Sequence, residues 1–235
     1  MEFNYSYFVT SFKQALLYTS VTLKILFVTF TVSFVLGILI GAIRFYKVPF
    51  LSKFFSAFVT VYMGIPIMVA LVLYNLVFLT CYTDFANFFH ISKKINEIDQ
   101  IVIAYVALIA SNTCSMSEIT RGGFRSVDKV QFEAGYTIGL TKFQTFRRII
   151  FPQMLPVISP GLLNLLIGML KSTNLVSTIG IMEIMVASLY PCQETYSYLE
   201  GYLAAALMYW IIGIAIENLG HLVEHYSDKY RKKPV

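Results

Sequence analysis

The hydrophobic positions of this chain fall in long runs without charge, separated by shorter polar segments. A helix needs about 20 apolar residues to cross the roughly 30 Å of hydrocarbon in a bilayer. Five runs approach or exceed that length and predict spanning helices at about 21–43, 55–80, 99–117, 155–172 and 200–218. The fourth run contains Pro152, Pro156 and Pro160, which predict an irregular start to its helix.

The composition agrees with a membrane protein. Of the 235 residues, 57% are hydrophobic and only 13% are charged, whereas soluble domains have about 45–50% and about 25%. The 20 Phe and 16 Tyr residues suit lipid and its interfaces. These values exclude a soluble enzyme, a disordered chain and a disulfide scaffold. They predict an all-α integral membrane protein with a single transmembrane domain over residues 1–235.

The basic residues predict the orientation of the spans. Of the 18 Lys and Arg residues, 13 lie in alternate connections and in the C-terminal tail: Arg44, Lys47, Lys53, Arg121, Arg125, Lys129, Lys142, Arg147, Arg148, Lys229, Arg231, Lys232 and Lys233. The positive-inside rule places this side in the cytoplasm, with the N-terminus outside and the C-terminus inside. Because these residues lie between apolar runs, they predict contact with anionic membrane lipid and not with nucleic acid.

The connection between the third and fourth spans, at about 121–153, differs from the other loops. It is too long for a simple link and too apolar for a disordered one. Gly135 and Gly139 mark turns or close approaches among apolar residues, which then continue at helical spacing. We expect two short helices with a glycine turn between them on the cytoplasmic face. An exposed apolar hairpin of this kind indicates a surface that binds a partner.

The same loop carries a recognisable motif. Glu133-Ala134-Gly135, then Gly139, then Ile149-Ile150-Phe151-Pro152 matches the spacing of the EAA motif of bacterial ABC importer permeases. Gly135 replaces the second Ala of that motif, and Phe151 replaces a Leu. Both positions keep their small or apolar character.

Three further segments extend the resemblance along most of the chain. Residues 118–123 resemble the A-E-x-x-R-G-G segment of polar amino-acid permeases, and residues 63–66 resemble their R-G-T-P turn, with Met63 in place of the Arg. Residues 170–180 are similar to their L-K-D-T-S-L-V-S-V-I-G segment, with Ser172 in place of the acidic residue. The chain therefore resembles permeases of the histidine, glutamine, arginine and cystine type.

The resemblance implies a type I ABC importer permease fold and a non-catalytic subunit that carries a polar amino acid into a bacterium across its cytoplasmic membrane. The implied partners are a cytoplasmic ABC ATPase dimer, a second permease (an identical copy or a paralogue) and an extracytoplasmic solute-binding protein. The chain contains no G-x-x-x-x-G-K-[ST] loop, so ATP and Mg are expected on the ATPase, with no cofactor or metal in this chain. The implied ATPase-coupling residues are Glu133, Ala134, Gly135, Gly139, Ile149 and Pro152. Glu133 is expected near a helix N-terminus, and the small residues are expected to permit close approach to the ATPase.

Polar residues inside the spans predict where a substrate binds, because such groups are costly in lipid. Asn112 and Ser115 share a helix face in the third span, and Lys171, Ser172 and Thr173 end the fourth. Lys171 is expected in the outer half of the bilayer, where it could pair with a substrate carboxylate. Alternatively, the hydroxyls bond to their own backbone and Lys171 extends to the interface. Ser172 indicates a site less suited to a cationic amino acid.

Other functions and contacts stay open at this stage. His221, Glu224 and His225 form an H-x-x-E-H pattern, which is typical of a zinc peptidase but here has only Asp228 as a further carboxylate downstream. An ATPase-independent carrier is the other alternative. Cys81 and Cys192 lie on the same predicted side and could form one bridge. The Gly37-x-x-x-Gly41 pattern indicates close helix packing, which we expect within the subunit.

Overall fold

The computed structural model describes residues 3–90, 92 and 94–227, and these residues form an all-helical structure. The helices are α1 (Tyr5–Phe45), α2 (Leu51–Met63), α3 (Ile67–Phe88), α4 (Ile101–Ser126), α5 (Lys129–Thr137), α6 (Lys142–Thr145), α7 (Phe151–Ser172), α8 (Ile184–Leu189) and α9 (Tyr198–Ser227). Among these residues, five helical stretches are long and apolar enough to cross a membrane: α1, α3, α4, the stretch that contains α7, and α9. The predicted number of spans is confirmed.

Helix α1 is much longer than the apolar run that predicted it. It begins at Tyr5 after Asn4, whose side-chain oxygen accepts hydrogen bonds from the amides of Ser6 at 3.0 Å and Tyr7 at 3.4 Å. At 1.5 Å per residue, its 41 residues extend for about 60 Å, roughly twice the hydrocarbon thickness. The predicted span at 21–43 therefore lies within a longer rod.

The second span differs from its prediction at 55–80. The structure divides this stretch into α2 and α3, with a break at Gly64, Ile65 and Pro66. Pro66 has no amide hydrogen to donate and disfavours a helical backbone at Ile65, which favours a break at this point. Hydropathy alone hides the break because both sides of it are apolar.

The prolines of the fourth span have less effect than expected. Helix α7 runs without interruption from Phe151 to Ser172, with Pro156 and Pro160 in its interior, so the irregular part is confined to the π-helical turn Phe146–Ile150 before it. Pro152, Pro156 and Pro160 are four residues apart, so their missing amides fall on one helix face. Helices that pack in membranes tolerate such residues because neighbouring groups satisfy the freed carbonyls.

The central contact of the fold joins α1 and α4. A Cβ atom on Gly41 would lie 2.7 Å from the Thr120 Cβ, and one on Gly37 would collide with Met116. The Ser33 hydroxyl donates to the Ile109 carbonyl at 3.3 Å along the same seam. The Gly37-x-x-x-Gly41 pattern thus serves packing within the subunit, as expected.

Candidate coupling and substrate sites

Residues 128–150 form a helical hairpin, which we call the coupling hairpin. Its first helix is α5, whose N-cap Asp128 accepts a hydrogen bond from the Val130 amide at 3.0 Å. Its second helix is α6, where Thr141 and Gln144 cap each other's amides at 2.9 and 3.2 Å. Two short helices with a glycine turn are therefore confirmed. A π-helical turn, Phe146–Ile150, then continues α6 directly into α7.

The glycines of the hairpin have separate structural roles. Gly139 has a φ of +80° and open space around its Cα, so it permits the turn and does not provide a close approach. Gly135 is buried, and a Cβ there would lie 2.5 Å from Cγ2 of Thr145. Its small size therefore lets α5 pack on the second leg of the hairpin itself. The expectation that both glycines serve approach to a partner gains no support from this geometry.

The remaining motif residues divide into an outer and an inner pair. Glu133 and Ala134 are exposed on α5, whereas Ile149 and Pro152 are half-buried where the hairpin joins α7. Glu133 is the fifth residue of its helix, beyond the first turn in which the helix dipole acts. Glu133 therefore lies in the middle of α5 and not near its N-terminus as expected, because the helix already begins at Lys129.

The hairpin exposes large apolar side chains among charged ones. Its large exposed side chains are Val130, Tyr136, Ile138 and Phe143, of which Ile138 is 72% exposed. Lys129, Lys142, Arg147 and Arg148 are exposed on the same segment. An apolar patch of this kind, with charges around it, is typical of a protein-binding surface.

A cluster of four aromatic rings joins the hairpin to α1 and α4. We call Phe45, Phe124, Phe132 and Phe146 the aromatic cluster. Phe45 stacks on Phe124 with ring centroids 4.8 Å apart, and Phe132 stacks on Phe45 at 5.9 Å. Phe124 lies 5.6 Å from Phe146. The cluster connects the ends of α1 and α4 with both legs of the hairpin.

An ion-pair network adjoins this cluster. Arg44, whose side chain is only 6% exposed, donates to Glu118 at 2.7 Å, Ser117 at 2.9 Å and Ser56 at 3.2 Å. The other oxygen of Glu118 accepts two bonds from Arg121, at 2.5 and 3.2 Å. The network holds α1, α2 and α4 together. Sequence reasoning counted Arg44 only as a topology signal and so missed this role.

The predicted substrate residues form two separate groups. Asn112 is buried and donates to the Leu108 carbonyl at 2.7 Å, and Ser115 is half-buried on the same helix. The hydroxyls of Ser172 and Thr173 donate to carbonyls of their own helix at 2.9 and 2.7 Å. Within the described part of the chain, no hydrogen bond joins the two groups.

Lys171 takes a different direction from its neighbours. It is exposed and borders a groove of about 310 Å³ between α7 and α9, together with Trp210, Gly213 and Glu217. The groove thus contains one cationic and one anionic side chain on a face that other elements of the chain leave uncovered. Charged groups in spanning helices usually face a protein interior or a water-filled cavity.

Glu183 is a buried acid that sequence reasoning missed. One carboxylate oxygen accepts the amides of Met185 at 2.9 Å and Val186 at 3.4 Å, and the other accepts the Tyr209 hydroxyl and the Thr22 hydroxyl, the latter at 3.5 Å. Burial raises the pKa of this carboxyl, although the hydrogen bonds oppose the rise. The residue caps α8 and ties it to α1 and α9. The available signal was a lone acid between two apolar runs.

The proposed zinc ligands do not converge on one point. The two ring nitrogens of His221 lie 3.1 Å from Glu224 and 3.7 Å from Glu217, on an exposed helix surface. Asp228 lies outside the described residues. Among the residues that are described, no group of three His, Cys, Asp or Glu side chains could hold a metal ion.

Cys81 and Cys192 were candidates for a disulfide bridge. Cys192 is buried with its sulfur 3.3 Å from the Ser11 hydroxyl, whereas Cys81 is exposed. Both are free thiols in this structure, so the bridge between them is absent.

Comparison with known proteins identifies relatives over nearly the whole chain. The family profile described as binding-protein-dependent transport system inner membrane component matches residues 33–225. The L-cystine transport system permease protein TcyL of Bacillus subtilis (strain 168) is 33% identical over 93% of this chain and 89% of its own length. The probable amino-acid permease protein YxeN of the same organism is 28% identical over 96% of both chains.

Solved structures give the same answer for the fold. A crystal structure of an amino acid ABC transporter with histidines matches with a TM-score of 0.77 and 26% identity, over 96% of this chain and all of the other. An inward-facing MetNI methionine ABC transporter matches with a TM-score of 0.64 and 17% identity, over 88% and 95% of the two chains. The type I importer fold expected from the sequence is thus confirmed.

Proposed function

The chain belongs to the binding-protein-dependent transport system inner membrane components, and from this membership we propose that it forms the translocation path of an ATP-driven importer for a polar amino acid. It is a multi-pass membrane subunit of the amino-acid ABC permease type. We propose further that its N-terminus lies outside and its C-terminus in the cytoplasm, because alternate connections carry most of the Lys and Arg residues.

The coupling hairpin carries the proposal. It leaves Glu133, Ala134 and Ile138 exposed on a surface that the rest of the chain does not cover. We assign this surface to a cytoplasmic ATPase dimer, with ATP and Mg bound by that partner and none of the hydrolysis in this chain. A second permease, identical or paralogous, and an extracytoplasmic solute-binding protein complete the proposed importer.

The proposed substrate is neutral and polar, of the cystine or glutamine class. Relatives named for cystine and for glutamine support this class, although one relative is named an arginine transport system permease. At the end of α7, Ser172 supplies a neutral hydroxyl at a position where an acidic residue would favour a cationic substrate. We keep Asn112, Ser115, Lys171, Ser172 and Thr173 as proposed contacts. Lys171 has the strongest geometric support, since it is exposed on the groove between α7 and α9.

Purification of the tagged chain from its native membrane in mild detergent, followed by mass spectrometry, tests the proposed assembly. We expect a phosphate-loop ATPase to accompany the wild type and to be lost from Ala134→Trp, because the bulky ring would occupy the partner surface. Ala57→Trp is the matched control, since Ala57 is also an exposed helical alanine but lies on α2. A wild type that comes without an ATPase contradicts the assignment.

Uptake by proteoliposomes with the co-purified proteins tests the substrate. Cystine and glutamine should enter only with ATP, and arginine and lysine should enter more slowly. Equal uptake of the cationic amino acids would contradict the role given to Ser172. Flux without any ATPase would instead favour an autonomous carrier.

A further inference from the structure

The two legs of the coupling hairpin have different links to the spanning helices. The second leg continues through the Phe146–Ile150 turn into α7, and the first leg follows α4 after Val127 and Asp128. Helix α1 does not adjoin the hairpin in the chain, because α2, α3 and α4 lie between them. Any displacement of the hairpin must therefore reach α1 through side-chain contacts.

Phe132 provides such a contact. Its half-buried ring extends from α5 onto Phe45, the last residue of α1, and packs on a buried apolar cluster that includes Phe124, Val127 and Ile150. The other contacts of α5 join it to elements other than α1. Gln131 accepts from Gln153 at 3.2 Å on α7, and Gly135 packs on Thr145 within the hairpin.

The end of α1 is itself held firmly by two other helices. Phe45 stacks on Phe124 of α4, and the preceding Arg44 bonds to Ser117 and Glu118 of α4 and to Ser56 of α2. Close-packed groups of this kind move as units and do not deform gradually. A push on Phe45 therefore displaces the end of α1 together with the parts of α4 and α2 that it contacts.

Building on the proposed function, we propose that Phe132 is the positioning residue through which the coupling hairpin moves the end of α1 and, through Arg44, the adjoining α2. The ATPase contacts the exposed face of α5, and Phe132 lies on the opposite, half-buried side. The ring thus has no part in binding the ATPase. It sets how far the motion of the hairpin reaches into α1 and α2.

Phe132→Leu in the assembled importer tests this role, with Phe85→Leu as the matched control. Phe85 also pairs with another ring, 4.6 Å from Phe89, but it lies on α3, away from the hairpin and from the end of α1. ATP hydrolysis and amino-acid uptake are measured together in proteoliposomes. Phe132→Tyr, which keeps the ring, should restore wild-type behaviour.

We expect Phe132→Leu to retain the ATPase and its KM for ATP but to lower uptake per ATP by roughly fivefold, the equivalent of about 1 kcal/mol for one aromatic pair. Phe85→Leu should leave this ratio unchanged. An unchanged ratio in Phe132→Leu overturns the proposal, and so does loss of the ATPase from that variant, since the ring would then serve docking. If the wild type itself brings no ATPase, the proposed function fails together with this inference.

Discussion

Two adjacent glycines on α4 allow a sharp test of how this helix packs on α7. A Cβ on Gly122 would meet nothing within 4 Å, whereas one on Gly123 would collide with Cγ2 of Ile158 and lie 3.0 Å from Cε of Met154. Both positions are inside the same helix, so replacement by alanine gives each the same gain in helix propensity. The two variants differ only in the space available on their respective faces.

The expected free energies follow from these contacts. Alanine in place of an interior helical glycine adds about 0.5–1 kcal/mol to the free energy of unfolding. Overpacking costs about 1–3 kcal/mol where neighbouring atoms must shift. Gly122→Ala should therefore stabilise the protein, and Gly123→Ala should destabilise it by up to about 2 kcal/mol. For a chain of this size, the midpoints of thermal unfolding should differ by roughly 3–10 °C.

A thiol-reactive dye can follow unfolding in detergent, because Cys114 and Cys192 are fully buried in the native state. The exposed Cys81 is first replaced by serine in all variants to remove the background signal. If both alanine variants shift the midpoint by the same amount in the same direction, the close contact between Gly123 and Ile158 does not exist and the packing argument fails.

Three further substitutions test other parts of the structure. Glu183→Ala should lower the free energy of unfolding by about 3 kcal/mol, because it removes a helix cap and leaves buried donors without an acceptor. Glu183→Gln keeps an acceptor oxygen, so its midpoint of thermal unfolding should fall by less. Arg44→Ala should lower the free energy of unfolding by about 1–3 kcal/mol in the same assay, because a buried arginine that bonds to Glu118 is lost. A midpoint of thermal unfolding equal to that of the wild type would contradict a stabilising role of this ion-pair network. Gly139→Ala should impair ATP-driven uptake more than Gly139→Asn does, since asparagine adopts positive φ more readily; equal uptake would show that the turn does not need this conformation.

Features that depend on local pattern could be predicted from the sequence. The five spans follow from uncharged apolar runs, and the coupling hairpin follows from helical spacing interrupted at Gly139. The break at Gly64–Pro66 was visible only as a resemblance to a turn, because a count of apolar residues does not register lost backbone hydrogen bonds.

The features that could not be predicted depend on distant parts of the chain. The burial of Glu183 requires Thr22, which is 161 residues away, and Tyr209 of the last helix. The role of Gly135 likewise depends on Thr145 in the next helix of the hairpin. For the proposed substrate residues, the sequence indicated polar groups within apolar spans, but it could not show which hydroxyls bond to their own carbonyls.

The uninterrupted helix from Lys142 through the π-helical turn to Ser172 has a mechanical consequence. Its 31 residues make a rod of about 45 Å, with the coupling hairpin at one end and Lys171 at the other. If this helix tilts by about 5° as one rigid body, its far end moves by about 4 Å over that length. Motion of the hairpin therefore shifts Lys171 and the α7 side of the groove without any partner touching that end of the helix.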